Sequence, residues 1–312
     1  MIALPTIFRA IARVALREPV CIGLDIQDEE LAAVALIRDK IGREQIRAKR
    51  IFPLAPEAIV GGELKRPEAL KAAIIQFLTL LHITAREEPV FFLSLPPHRL
   101  YVKTALLPFT TEHELREAIR LQAETALPLR PKEAYIDSQV TTIKHGMERC
   151  VVMGAVAKSV LDPYLAVCAE LGVRAGGCEF HLLSLIKLIH DASRPLLFAL
   201  IDEDGVEFSV LSSGVLIAHY HEETRGMMPD FEKREKQLTS YAEGMLGTPV
   251  RDVFIFDRTK KEYVFTKKSE GAAEELFASP EIEPRFFICY GAACELCASK
   301  TPRLNFVPRH SK

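Results

Sequence analysis

Apolar and polar positions along the chain mark out hairpins first. Residues 20–26 and 31–36 read as two apolar strands around the polar turn Gln27-Asp28-Glu29-Glu30, and a third strand is expected near 47–53. The period then changes. In "KRPEALKAAIIQFLTLLHI", Leu70, Ala73, Ile74, Phe77, Leu78 and Leu81 recur at helical spacing, with Pro67 suited to the first turn. The run "PVFFLSLP", residues 89–96, is a fully buried strand, so strand–helix–strand order predicts an α/β lobe.

Beyond Pro96 and Pro97, Thr111 and Glu114 form a capping box that opens a helix running to about Ala126. Pro128 and Pro131 stop it, and "AYIDSQVTTI" and "CVVMGAVA" follow as strands. With the helices "LDPYLAVCAELGV" and "FHLLSLIKLIHDA", this predicts an inserted α+β unit at about 98–175. At Pro195 the opening design returns. An apolar strand ends in Asp202-Glu203-Asp204-Gly205, and the next strand sets Val206, Phe208 and Val210 on one face. A helix is expected over 230–246, then the strand "VRDVFIFD" and a terminal apolar run, "FFICYGAACELCA". The expected units are residues 1–17, a first lobe over 18–190, a reduced second lobe over 191–300, and a tail over 301–312.

Composition removes several function classes. With 40 basic and 42 acidic residues, net charge −2, the chain lacks the basic excess of a nucleic-acid binder. Seven cysteines in core-like segments read as reduced thiols. No apolar run approaches the ~20 residues of a bilayer span. The first 17 residues form an amphipathic helix with Arg9, Arg13 and Arg17 on one face. Its apolar face either packs on the protein body or makes a peripheral contact with an anionic membrane. "CELC", Cys294 and Cys297, lacks a second ligand pair for zinc and reads as helical core cysteines. His181, His190, His219 and His221 stand without a nucleophile pattern, so no catalytic residue is expected. Arg258, Lys260, Lys261, Lys267 and Lys268 read as a solvated hairpin end.

The segments "VCIGLDIQDEELAAVAL", "IVGGELKRPEALKAAI", "VFFLSLPPHRLYVKTALLPFTTEHELREAIRLQAETALPL" and "EAYIDSQV" resemble the PilM family of type IV pilus assembly proteins, relatives of the cell-division protein FtsA. The likeness covers about residues 18–220. It implies a bilobal actin-like ATPase fold of the α/β class, with an α+β subdomain inserted in the first lobe. It also implies a cytoplasmic location at the inner-membrane face. The partner implied is PilN, a bitopic membrane protein with an N-terminal peptide resembling NLLP, alongside other platform or motor proteins. The peptide groove lies between first lobe and insert in this family, which makes residues near 90–135 its candidates here. Type II secretion systems contain a similar pair fused into one protein.

The phosphate turns depart from the family. Its Asp-Ile-Gly-Ser-Ser-Ser turn has become Asp25-Ile26-Gln27-Asp28-Glu29-Glu30, and its second Asp-Ile-Gly has become Asp202, Glu203, Asp204 and Gly205. Phosphate needs exposed N–H groups without nearby anions. A carboxylate about 4 Å from a phosphate oxygen costs on the order of 4 kcal/mol at an effective dielectric of 20. The expectation is therefore no bound cofactor and no ATPase. Two readings of the acidic turn stay open: a solvated hairpin end, or a Mg²⁺ or Ca²⁺ site. The alternative function is an active ATP·Mg switch of the same fold with an atypical phosphate turn; a sugar-kinase-like enzyme lacks a catalytic base pattern.

The tail draws the functional weight. Arg303, Leu304, Asn305, Phe306, Val307 and Pro308 resemble the PilN peptide, with apolar anchors and an Asn able to bond backbone. An ordinary frayed terminus is the competing reading. The resemblance implies a partner peptide carried in cis, inserted into a neighbouring copy, or supplied in trans.

Overall fold

The apolar run at 21–26 becomes β1 (Cys21–Ile26), the buried centre of a five-stranded sheet, in a computed structural model that describes residues 20–38, 43–83, 87–108, 111–143, 148–189, 194–203, 205–212, 215–224, 230–259, 264–267, 282–297 and 305–307. The amphipathic 1–17 segment, His190, Asp204, Lys260, Lys261, Lys268, Arg303, Leu304 and Pro308 lie outside the described residues. β2 (Glu30–Arg38) pairs antiparallel with β1, and β3 (Glu44–Pro53) pairs antiparallel with β2. β4 (Ile59–Val60) and β5 (Glu63–Leu64) form a small hairpin ahead of α1 (Pro67–Leu80). The helix buries Leu70, Ala73, Ile74 and Phe77, the stripe its spacing predicts. β6 (Val90–Leu95), buried throughout, then runs parallel to β1.

The insert is a three-stranded antiparallel sheet of β7 (Leu100–Pro108), β8 (Ala134–Ile143) and β9 (Glu148–Ala157), in the order β7-β9-β8. α2 (Glu112–Ala126) opens on the Thr111–Glu114 capping box and buries Leu115 and Ala123 against the sheet's Val151, Met153 and Ala155. The insert's own strands end at Ala157. α3 (Lys158–Glu170) already packs on α1 and leads to β10 (Arg174–Phe180), which joins the first sheet parallel to β6. α4 (His181–Ile186) follows, buried along its length.

The second sheet repeats the plan. β11 (Leu196–Ile201), β12 (Gly205–Ser212) and β13 (Val215–Glu223) form the antiparallel meander. α5 (Phe231–Leu246) precedes β14 (Asp252–Asp257), which runs parallel to β11. Both sheets thus place their strands in the order third-second-first-fourth-fifth. The fifth differs: β10 runs parallel to its neighbour, whereas β15 (Val264–Lys267) is antiparallel to β14.

The last helix, α6 (Phe287–Cys297), belongs to the 191–300 segment by sequence, yet it packs on β1, β2 and β6 of the first sheet. Small residues permit the contact. A Cβ on Gly23 would stand 1.8 Å from the Cys289 carbonyl oxygen, and one on Gly291 would stand 2.0 Å from that of Ser184. Cys289 is buried and Cys294 half-buried on this helix, the latter donating to Glu44 Oε2 at 3.3 Å.

Candidate functional site

The two acidic turns close in the same way. Gln27 N donates to Glu30 O at 3.0 Å, and Asp202 N donates to Gly205 O at 2.9 Å. Strand register sets Ile26 opposite Leu31 and Ile201 opposite Val206, so Gln27 matches Asp202 and Asp25 matches Leu200. Asp25 therefore sits in a strand and Asp202 one pleat further on, in the turn. The turns face each other across a cleft of about 210 Å³ between the sheets. Six carboxylates line it, from Asp28, Glu29, Glu30, Asp202, Glu203 and Glu207.

The first turn is not a solvated hairpin end at Asp28. Its Oδ2 accepts from Gly61 N at 2.6 Å and its Oδ1 from Gly62 N at 3.2 Å. Both glycines have positive φ, 54° and 75°, which turns successive N–H groups toward one anion. The protein's own carboxylate takes donors of the kind a phosphate would use. Among the described residues, no three His, Cys, Asp or Glu side chains are arranged to hold a metal ion.

Arg258 overturns its expected place in a solvated basic run. Its side chain is 2% exposed, because Arg258 N donates to Ile201 O at 2.9 Å and carries the chain inward at the end of β14. The guanidinium meets Asp25 Oδ2 at 3.1 Å, His181 Nδ1 at 3.2 Å and Asp202 Oδ2 at 3.5 Å. His181 Nε2 lies 3.0 Å from Asp25 Oδ1 and 3.0 Å from Ile26 O. Burial alone would raise the Asp25 carboxyl, but Arg258 and His181 outweigh it and hold it below its ordinary value. This cluster joins the lobes with a built-in cation between their aspartates. The sequence offered one signal: Arg258 follows the apolar strand directly, whereas the lysines stand further out.

A second polar seam lies deeper. Glu207 and Ser209 on β12 pair in register with His221 and His219 on β13, while Val206, Phe208 and Val210 face the opposite core. His219 Nδ1 shares a hydrogen bond with Ser209 Oγ at 3.0 Å, and burial with His221 pushes the imidazole down to about 3. Glu207 is 2% exposed, and among the described residues neither carboxyl oxygen has a hydrogen-bond partner. Burial raises its carboxyl well above the ordinary range; Asp202 adds to the rise and Arg258 opposes it. The folded state then holds a proton that the unfolded chain gives up above the ordinary value of 4.5, so stability falls as pH rises through that window. Glu207→Gln should melt with wild type at pH 4 and above it at pH 8. A gap between melting temperatures that stays constant with pH would contradict this.

The described part of the tail occupies a groove between the first sheet and the insert. Asn305 N donates to Asp137 Oδ2 at 2.8 Å, and Asn305 Oδ1 accepts from Cys178 N at 3.0 Å and Val307 N at 3.1 Å. Phe306 N donates to Cys178 O at 3.0 Å, extending the outer edge of β10. The Phe306 ring is 3% exposed among Leu95, Leu100, Val156, Val160 and Phe180, and only about 20 Å³ stays open beside it. Val307 is half-buried. Leu95, Pro96, Arg99 and Leu100 fall in the expected 90–135 stretch; Gly62, Asp137, Val156, Val160 and Cys178 do not.

Two sheets of like strand order around one cleft, an insert after the fourth strand, and a last helix returning to the first sheet decide the architecture. The fold is that of the actin-like ATPases. No protein-family model and no curated protein matches the sequence. The chain is similar to a solved PilM–PilN type IV pilus biogenesis complex, with a TM-score of 0.64, 16% identity, and coverage of 89% of this chain and 98% of that one. It is also similar to the cytoplasmic domain of EpsL, an inner-membrane component of the type II secretion system of Vibrio cholerae. There the TM-score is 0.53 and identity 11%, over 93% of this chain and 99% of that one. Acidic side chains cluster along the cleft of this actin-like fold, and the Gly61 and Gly62 N–H groups beside it are engaged by Asp28. No helix of the described residues is long and apolar enough to cross a membrane.

Proposed function

We propose that the chain is an actin-like scaffold of a type IV pilus or type II secretion-like assembly platform, working at the cytoplasmic face of the inner membrane without nucleotide hydrolysis. It acts by binding a short peptide of a PilN-like membrane partner and by contacting other platform or motor proteins. The observation that carries this reading is the seating of Asn305, Phe306 and Val307 in the groove between first lobe and insert. The groove supplies what an extended peptide requires: strand-edge backbone groups, an apolar slot for one ring, and two backbone partners for an Asn side chain, Cys178 N and Gly176 O. Likeness in fold to PilM from a PilM–PilN complex and to cytoplasmic EpsL supports the same reading.

In this protein the groove is filled in cis. A tether of this kind sets a local peptide concentration of roughly millimolar, so the slot stays occupied without tight intrinsic affinity. The same segment inserted into a neighbouring copy would link chains head to tail.

Deleting residues 302–312 should open the groove to a synthetic peptide of sequence RLNFVPR. The intact chain should bind that peptide at least about tenfold more weakly, because its own tail competes. Equal binding before and after deletion would sink the peptide reading. Titration of the same preparations with Mg·ATP tests the rest. Micromolar binding would favour the alternative, an ATP switch with an acidic phosphate turn.

A further inference from the structure

The cleft between the lobes carries chemistry that the scaffold reading leaves unused. Six carboxylates line it against one guanidinium, and that guanidinium is already engaged with Asp25 and Asp202. Acidic side chains alone would make only a charged surface. Glu207 adds an independent observation, since it lines the cleft at 2% exposure with both carboxyl oxygens lacking a hydrogen-bond partner among the described residues. A buried carboxyl without a donor is costly, and a ligand that brings a donor relieves the cost. His219 Nδ1 stands 3.7 Å away and shares a hydrogen bond with Ser209 instead.

We propose that the cleft is a binding site for a small aliphatic di- or polyamine, with Glu207 as the inner acceptor of one ammonium group. Each part of the lining has a role. Strand register sets Leu200, Glu207 and His221 side by side across the second sheet, and Pro96 and Pro97 form the facing wall. An alkyl chain lies along Leu200 and the two prolines, one ammonium meets Glu207 once its buried carboxyl turns toward the cleft, and the other meets Glu30 or Glu203 nearer the mouth. A volume of about 210 Å³ suits a slender chain better than a nucleotide. A metal ion is the weaker occupant, because among the described residues the acidic groups do not converge in threes.

Binding should be coupled to a proton. Burial first, and then Asp202, favours the protonated form of Glu207, Arg258 works against them, and His219, His221 and His181 are the imidazoles that face the seam. An ammonium placed against the carboxyl favours its ionised form, so occupancy expels that proton and affinity rises with pH.

The test is calorimetry of the full chain with putrescine and spermidine at pH 6 and 150 mM NaCl, in two buffers of different ionisation enthalpy. The salt suppresses diffuse attraction between exposed charges. Saturable binding with net proton release is expected, as is tighter binding at pH 7.5. Glu207→Gln, which keeps the shape of the neutral acid, should lower affinity at least tenfold and abolish the proton release. The buffer comparison on the wild-type chain needs no variant, so misfolding of Glu207→Gln would not spoil it. Absence of binding, or buffer-independent heats, would overturn the proposal. So would Mg²⁺ or Ca²⁺ alone expelling the same proton at higher affinity, which would assign the site to a metal ion. None of these outcomes bears on peptide binding in the groove, so the two readings fail separately.

Discussion

Replacing Arg258 with alanine should lower the stability of the chain by about 3–5 kcal/mol, the usual cost of stripping one partner from a buried ion pair. Asp25 is 1% exposed and the Arg258 side chain 2% exposed, so water does not take over the lost contacts. Urea denaturation at pH 7 measures the loss. Adding Asp25→Asn to the same chain should recover most of it, because the neutral amide no longer needs a cation. Failure of that rescue would mean that Arg258 acts through packing and not through charge. The pH dependence carries a definite sign. Asp25 is held below its ordinary value of 3.8, so its contribution is present above that pH and is lost as pH falls through the folded-state value. The gap between wild type and Arg258→Ala should therefore narrow on acidification below about 4.

Gly23→Val should cost about 3 kcal/mol, at the upper end of overpacking penalties. The clash is with backbone: the Cys289 carbonyl oxygen 1.8 Å away and Ala293 N 2.6 Å away. No rotamer change relieves it, so α6 must move off β1. Gly244→Ala serves as the opposite control. Gly244 lies on the exposed face of α5 with nothing within 4 Å of a Cβ, and alanine there should add about 0.5–1 kcal/mol by helix propensity. Urea midpoints of the two variants should shift in opposite directions. An unchanged midpoint for Gly23→Val would contradict the tight packing of the terminal helix.

The fold was legible because its signals are local. The apolar alternation around 20–36 and 196–217, the stripe on α1 and the Thr111–Glu114 box each follow from neighbouring residues. The destination of α6 was not legible, since nothing nearby in sequence shows that its small face meets Gly23, more than 260 positions earlier. The site divides in the same way. Within the tail, the side-chain chemistry of Asn305 and Phe306 was legible: the amide bonds backbone and the ring is buried. Arg258 was hidden among lysines because its burial depends on two lobes meeting. The partners of Asp28 were hidden by sequence distance within the first lobe, although the Gly61–Gly62 pair is the signal that could have found them. Glu207 looked like the polar half of an ordinary alternating strand, yet it is 2% exposed.

The tail's seat on β10 has a consequence for the first sheet as a whole. β10 is the outermost strand of that sheet, and an uncovered margin is a template for another chain's backbone. The hydrogen bond from Phe306 N to Cys178 O, with the Asn305 amide beside it, blocks part of that margin. Releasing the segment exposes a strand edge and an apolar slot together, the pairing that drives unrelated chains to stick. The resident segment keeps both covered at once, and so acts as a stopper on the sheet's margin.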